Sequence, residues 1–120
     1  MDARRSVAVA QGLYFAATGI WPLVHMPSFE AVTGPKTDKW LVRTVGVLVG
    51  VIGGTLVAAA ARRRVTGETA ALAVGSAAGL AAIDVVYAAR GRISPIYLAD
   101  AAVEGGLIAA WAAAAGRRDA

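Results

Sequence analysis

Four long apolar runs, separated by short polar segments rich in Arg and Lys, constrain this chain more than any other feature of its sequence. The runs cover residues 7–24, 40–61, 70–89 and 94–115. Each has about 18 to 22 residues, and a helix that rises 1.5 Å per residue needs roughly 20 to cross a bilayer. We therefore predict an all-α integral membrane protein, a four-helix transmembrane bundle that forms one domain over residues 1–120.

Composition supports this class and excludes others. Hydrophobic residues make up 58% of the 120 residues, and the mean hydropathy is +0.60, which is typical of membrane proteins. The chain has no Cys, so disulfides, thiolate metal sites and thiol redox chemistry are excluded. Its pI of about 10.1 does not indicate nucleic acid, because the basic residues flank the apolar runs, where they suit anionic lipid headgroups better.

The distribution of Lys and Arg among the short loops predicts the orientation. One side carries Arg4, Arg5, Arg62, Arg63, Arg64, Arg117 and Arg118. The other side carries Lys36, Lys39, Arg90 and Arg92. The more basic side is expected to be cytoplasmic, which places both termini there. We expect a multi-pass protein of the bacterial cell inner membrane.

Three carboxylates, Asp84, Asp100 and Glu104, lie inside the third and fourth runs. A charge near the bilayer centre costs from a few to more than ten kcal/mol, so such residues are functional-site candidates by default. From their positions we expect Asp84 and Asp100 at similar depths in the outer half and Glu104 deeper. Arg43 is the one base within the runs, so three acids facing it leave charge for protons or a ligand to neutralise. The alternative is a structural ion-pair set that fixes the helix order.

Helical spacing of three and four residues groups further polar side chains with the acids. These are Tyr97 and Trp111 in the fourth run, Ser76 and Tyr87 in the third, and Gln11, Tyr14 and Thr18 in the first, with His25 directly after it. Tyr14, Tyr87 and Tyr97 also suit an aromatic belt near helix ends, and Trp21 and Trp40 suit interfacial anchors. In the second run, Gly46, Gly50 and Gly54 form small-xxx-small patterns that allow close helix packing.

The segment between the first two runs, residues 25–39, has two interpretations. A surface turn is the simpler one. The alternative is a lid that brings His25 and Glu30 close to Arg43. His25 is a candidate titrating residue because imidazole groups titrate near neutral pH.

Recognisable catalytic and metal motifs are not found in the sequence. The chain contains no Gly-rich phosphate loop, no His-x-x-x-His or Glu-x-x-His pair and no Ser nucleophile in a known context. One His and three acids do not form a convincing metal site. We predict no cofactor and no metal.

The order of elements resembles the broad DoxX-like group of small four-helix bacterial membrane proteins. A Pro-containing loop follows the first helix, Leu-Val-Arg-Thr-Val-Gly opens a Gly-rich second helix at Leu41, and acids follow in helices three and four. Arg43 and Gly46 are the most suggestive positions. Some members are linked to quinone or sulfur redox systems, but without Cys or a cofactor ligand no redox activity is carried over. Small multidrug resistance transporters are similar in size, but their essential acid lies in helix one, where this chain has Gln11 and no carboxylate.

These observations predict a pocket in the outer half of the bundle that binds or transports a small amphipathic or lipid-like ligand, with proton coupling. Asp84 and Asp100 would bind the ligand or titrate, and Glu104 would close the floor of the pocket. Arg43 would neutralise one acid or an anionic group of the ligand. Hydroxyls and ring faces would come from Tyr87 and Tyr97.

Two alternatives belong to other classes. One is an intramembrane enzyme, an isomerase or hydrolase that uses a carboxylate pair with a nearby donor. The other is a structural or accessory subunit. That role requires the face of Gly46, Gly50 and Gly54 to be free for a second copy of the chain or another membrane protein.

Overall fold

The computed structural model describes residues 2–116, which fold into five α-helices. They are α1 (Ala3–Val24), α2 (Met26–Thr33), α3 (Lys39–Ala61), α4 (Gly67–Ala89) and α5 (Tyr97–Ala115). All but α2 are long and apolar enough to cross a membrane. The predicted all-α class with four membrane-length helices is confirmed. Arg117 and Arg118, which contribute to the predicted orientation, lie outside the described residues.

Two of the long helices begin earlier than their apolar runs because polar residues cap them. The side chain of Asp2 accepts a hydrogen bond from the Arg5 backbone N–H at 2.9 Å, so α1 starts four residues before the run. Thr66 accepts from the Thr69 N–H at 3.2 Å and starts α4 at Gly67. These side chains satisfy N–H groups that a helix end leaves without partners.

Helix α5 begins later than predicted. The expected start at Ser94 is wrong, because regular helix begins at Tyr97. The preceding residues form a tighter turn, in which Tyr97 N–H donates to the Ser94 carbonyl at 3.1 Å and Leu98 N–H donates to the Pro95 carbonyl at 2.9 Å. Such bonds over three residues are common at helix ends.

The segment expected to be a surface turn contains α2 instead. His25 Nδ1 accepts from the Ser28 N–H at 3.2 Å and caps this helix. Gly34 ends it with a φ of 98°, a backbone conformation that glycine adopts without strain. Trp21 of α1 holds α2 in place, since its Nε1–H donates to Ser28 Oγ at 2.8 Å and its ring meets Phe29 edge-on at 5.4 Å.

Helices α1 and α3 form the most closely packed pair. Glycines on both helices bring the backbones together, because a Cβ on Gly19 would lie only 2.6 Å from Gly46 O and from Gly50 N. Farther along the pair, a Cβ on Gly53 would lie 2.6 Å from Gly12 O. We call this contact the glycine seam. It uses the Gly-rich face of α3 predicted for close packing, although Gly54 itself faces open space.

Helices α4 and α5 form the second pair, and this pair docks mainly on α1. At the end of the bundle that carries the chain termini, a small core closes the space between the pairs. Its buried members are Ala8, Leu56, Ala60, Ala73 and Trp111. Toward the opposite end, which carries α2, the two pairs separate and leave a cavity.

Candidate functional site

The cavity lies between the α1–α3 pair and the α4–α5 pair and is partly covered by α2. Its volume is about 490 Å³, within the range of roughly 300–1,000 Å³ common for small-molecule sites. The lining is mostly apolar. Residues of all five helices contribute to it, among them Phe15, Trp21, Phe29, Val42, Val45, Val49, Leu80, Tyr97 and Val103.

Asp84, Asp100 and Glu104 form one cluster on the α4–α5 wall of this cavity. Asp100 is a close electrostatic neighbour of both Asp84 and Glu104. Asp84 is 5% exposed and Glu104 is 1% exposed, while Asp100 is half-buried. The four-residue spacing of Asp100 and Glu104 on α5, together with the packing of α4 against α5, thus brings together the three acids that the sequence singles out.

One hydrogen-bond donor reaches this cluster from α1. The Tyr14 hydroxyl donates to Asp100 Oδ1, and Thr18, one turn farther along, lines the same cavity. The belt position predicted for Tyr14 is wrong, because its hydroxyl points into the bundle instead of toward an interface. This bond connects the two helix pairs across the cavity.

Two carboxylate oxygens in the cluster have no partner. Asp84 Oδ2 and Glu104 Oε1 are buried and form no hydrogen bond within the described part of the chain. Most buried polar atoms in proteins are paired, and a buried unpaired group costs about 1–3 kcal/mol or more when charged. Because ionised carboxylates only accept hydrogen bonds, these atoms need a proton or an external donor.

A second polar cluster lies nearer the termini and is fully paired. Gln11, which is completely buried, donates from Nε2 to the Ala73 carbonyl at 2.8 Å. Its Oε1 accepts from Trp111 Nε1–H at 2.7 Å. This cluster ties α1, α4 and α5 together on the side of the carboxylates that faces the small core.

Lys36 is the basic residue among those that line the cavity. Its ammonium lies 4.8 Å from the centre of the Tyr97 ring and 5.9 Å from that of Phe29. It donates to the Thr33 carbonyl at 3.1 Å. Lys36 therefore sits at the α2 rim among aromatic rings and forms no ion pair with the carboxylates in residues 2–116.

Three other predicted site residues do not reach the cavity lining. Arg43 and Tyr87 are exposed, and neither lines the cavity. His25 is exposed at the start of α2, where its Nδ1 lies 2.7 Å from Ser28 Oγ. The alternative interpretation of residues 25–39, a lid that brings Glu30 close to Arg43, is not seen in the described residues, where Glu30 forms an ion pair with Lys39 at 3.3 Å. Of the predicted aromatic pair, only Tyr97 lines the site.

The sequence pattern groups Tyr14 and Gln11 with the acids but does not identify their partners, and it assigns no site role to Lys36. Tyr14 and Gln11 stand out as polar residues three positions apart in an apolar run. Their partners are far away in the sequence, because Tyr14 bonds to Asp100, 86 residues later, and Gln11 bonds to Trp111, 100 residues later. Nothing in the sequence marks Lys36 as a cavity residue, since it follows Pro35 in a polar loop.

Comparisons with protein-family models, with curated proteins and with solved structures find no match to this chain. The resemblance to the DoxX-like group stays a prediction.

Proposed function

We propose that this chain is a multi-pass protein of the cell inner membrane, with cytoplasmic termini, that binds or transports a small amphipathic or lipid-like ligand in the cavity beside Asp84, Asp100 and Glu104. The observation that carries the proposal is a mostly apolar cavity lined by two residues, Asp84 and Glu104, that each have a buried carboxylate oxygen without a hydrogen-bond partner in residues 2–116. An apolar cavity with a few convergent polar groups is the usual form of a small-molecule site.

Exposed apolar side chains on every long helix support the membrane location. They include Leu13 and Val24 on α1, Leu48 and Val51 on α3, Ile83 on α4 and Leu98 on α5. Soluble monomers rarely expose contiguous apolar patches beyond a few hundred Å². Lipid chains would cover these side chains at no hydrophobic cost.

Proton coupling follows from the composition of the site. The titratable or charged groups around the cavity are Tyr14 of α1, Lys36 before α3, Asp84 of α4, and Asp100 and Glu104 of α5. Protons or a ligand must compensate the acids, since each ionised carboxylate in a poorly solvated site repels the other two. A ligand that changes their ionisation would exchange protons when it binds.

Both alternatives receive less support. An enzyme needs a free donor beside the acids, but the Tyr14 hydroxyl hydrogen is already used by Asp100. An accessory subunit that docks through Gly46 and Gly50 needs that face to be free, but α1 occupies it in the glycine seam.

Filling the cavity tests the proposal. Val49 lines the cavity and is half-buried, whereas Val47, two residues away, is exposed and does not line it. We expect Val49→Trp to abolish saturable binding of small naphthalene amphiphiles to the protein in lipid nanodiscs, measured by calorimetry. Val47→Trp is the matched control and should bind like the wild type.

The probes share one ring system and differ in headgroup: 1-naphthylmethylamine, 1-naphthylmethanol and 1-naphthoate. Saturable binding of any one of them that Val49→Trp removes supports the proposal. Absence of saturable binding for all three, or equal binding to both Trp variants, would overturn it.

A further inference from the structure

The charge around the cavity is strongly unbalanced. Three acids share one wall, and two of them, Asp84 and Glu104, are more than nine-tenths buried. Each has an oxygen that finds no hydrogen-bond partner among the described residues. Tyr14 supplies a donor to Asp100, which leaves the acceptors of the other two acids for something else to satisfy.

Basic side chains do not correct this imbalance. Arg43 is exposed and outside the cavity lining. Lys36 lies at the rim, where it donates to Thr33 O at 3.1 Å. The ion pair found in residues 2–116 joins Lys39 to Glu30, away from the acids.

The rest of the lining suits a large apolar group and a cation. Ring faces come from Phe15, Trp21, Phe29 and Tyr97, and aliphatic side chains come from α3. Aromatic faces attract cations that lie within about 6 Å of a ring centroid. The Lys36 ammonium, 4.8 Å from the Tyr97 ring centre, shows that this rim accommodates one.

We infer that the ligand is an amphipathic organic cation, a protonated amine whose N–H groups donate to Asp84 and Glu104 while its apolar body fills the aromatic part of the cavity. This inference rests on the proposed function and names its ligand class. Hydrogen bonds between an ammonium and a carboxylate are about twice as strong as those between neutral groups. Such bonds would satisfy the unpartnered oxygens and would at the same time neutralise part of the negative charge of the acids.

Other ligand classes fit less well. An anionic amphiphile meets three carboxylates, and like charges in a poorly solvated site repel strongly. A neutral amphiphile carries no positive charge, so protons alone would have to compensate the acids. A metal ion lacks a suitable site, because residues 2–116 hold no group of three or more His, Cys, Asp or Glu side chains arranged to bind one.

The three naphthalene probes separate these classes, because they share one ring system and differ in charge. We expect 1-naphthylmethylamine to bind at least about tenfold more tightly than 1-naphthylmethanol, which corresponds to about 1.4 kcal/mol. 1-Naphthoate should bind most weakly. Binding is measured by calorimetry in nanodiscs, with the Val49→Trp protein as the blank.

Single substitutions then assign the preference to the acids. Asp84→Asn and Glu104→Gln should each weaken amine binding about tenfold and leave 1-naphthylmethanol binding almost unchanged. Glu68→Gln changes an exposed acid in the first turn of α4 and serves as the control. Lys36→Met should strengthen amine binding, because it removes a positive charge from the rim.

Equal affinity for the amine and the alcohol, or an unchanged amine affinity in both carboxamide variants, would overturn the inference while the proposed function stands. Loss of saturable binding for all three probes overturns the proposed function instead. Where a carboxamide variant does not fold, the order of the probes on the wild-type protein decides.

Discussion

Helix α1 has two contact faces of opposite kinds. Toward α3 it presents Gly12 and Gly19, and the two backbones meet without room for a side chain. Toward α4 and α5 it presents Gln11 and Tyr14, and the contact depends on a few side-chain hydrogen bonds beside a cavity. The difference indicates a tightly packed pair, α1 with α3, against which a second pair is held by polar contacts and the small apolar core. A ligand site belongs at the second contact, where the packing leaves space.

Substitutions in the glycine seam are expected to have the largest effect on the free energy of unfolding. A Cβ on Gly46 would lie 2.5 Å from Gly19 O, whereas one on Gly54 of the same helix meets nothing within 4 Å. Overpacking a tight contact costs about 1–3 kcal/mol, and replacing an exposed helical glycine with alanine gains up to about 1 kcal/mol. We expect Gly46→Ala to lower, and Gly54→Ala to hold or raise, the free energy of unfolding in SDS titrations. Equal stability of the two variants would contradict a rigid seam.

The paired polar cluster gives the next largest effect. Gln11→Leu removes two hydrogen bonds, to Ala73 O and from Trp111. Interhelical hydrogen bonds in membrane proteins contribute on average about 0.6 and at most about 1.7 kcal/mol each, so we expect a loss of about 1–2 kcal/mol in the same titration. If Gln11→Leu has no effect, apolar packing and not hydrogen bonding holds the second pair.

The bond from Tyr14 to Asp100 is expected to contribute less. Tyr14→Phe removes one donor at the half-buried Asp100, and we expect a loss of about 0.5–1 kcal/mol in the free energy of unfolding. Tyr87→Phe is the matched control, because Tyr87 is exposed and outside the cavity lining. A larger loss for Tyr87→Phe than for Tyr14→Phe would show that the α1–α5 contact is not held as the structure indicates.

The helices and the clustering of the acids were predictable from the sequence. Apolar runs of bilayer length predict the four long helices, and spacing within one helix places Asp100 and Glu104 on one face. Helix ends were missed where caps such as Asp2 and Thr66 extend a helix beyond its apolar run. Spacing within a helix says nothing about how one helix is rotated against another, so the hydrogen-bond partner of Tyr14 could not be predicted from the sequence.

Arg43 illustrates this limit of predicting helix rotation from sequence, and its substitution is expected to have the smallest effect. It lies three residues before Gly46, so the sequence groups it with the glycine face. The structure turns that face toward α1 and lines the cavity with its neighbours Val42 and Val45, which leaves Arg43 exposed.

Since Arg43 is exposed and outside the cavity lining, Arg43→Gln should leave the affinity for 1-naphthylmethylamine unchanged in the calorimetric assay. A counter-ion to the acids would behave differently, because its removal would strengthen binding of the cation. An increase in amine affinity comparable to that expected for Lys36→Met would place Arg43 within reach of the carboxylates during binding. The contact between the helix pairs would then have to rearrange around the ligand, while the glycine seam stays closed.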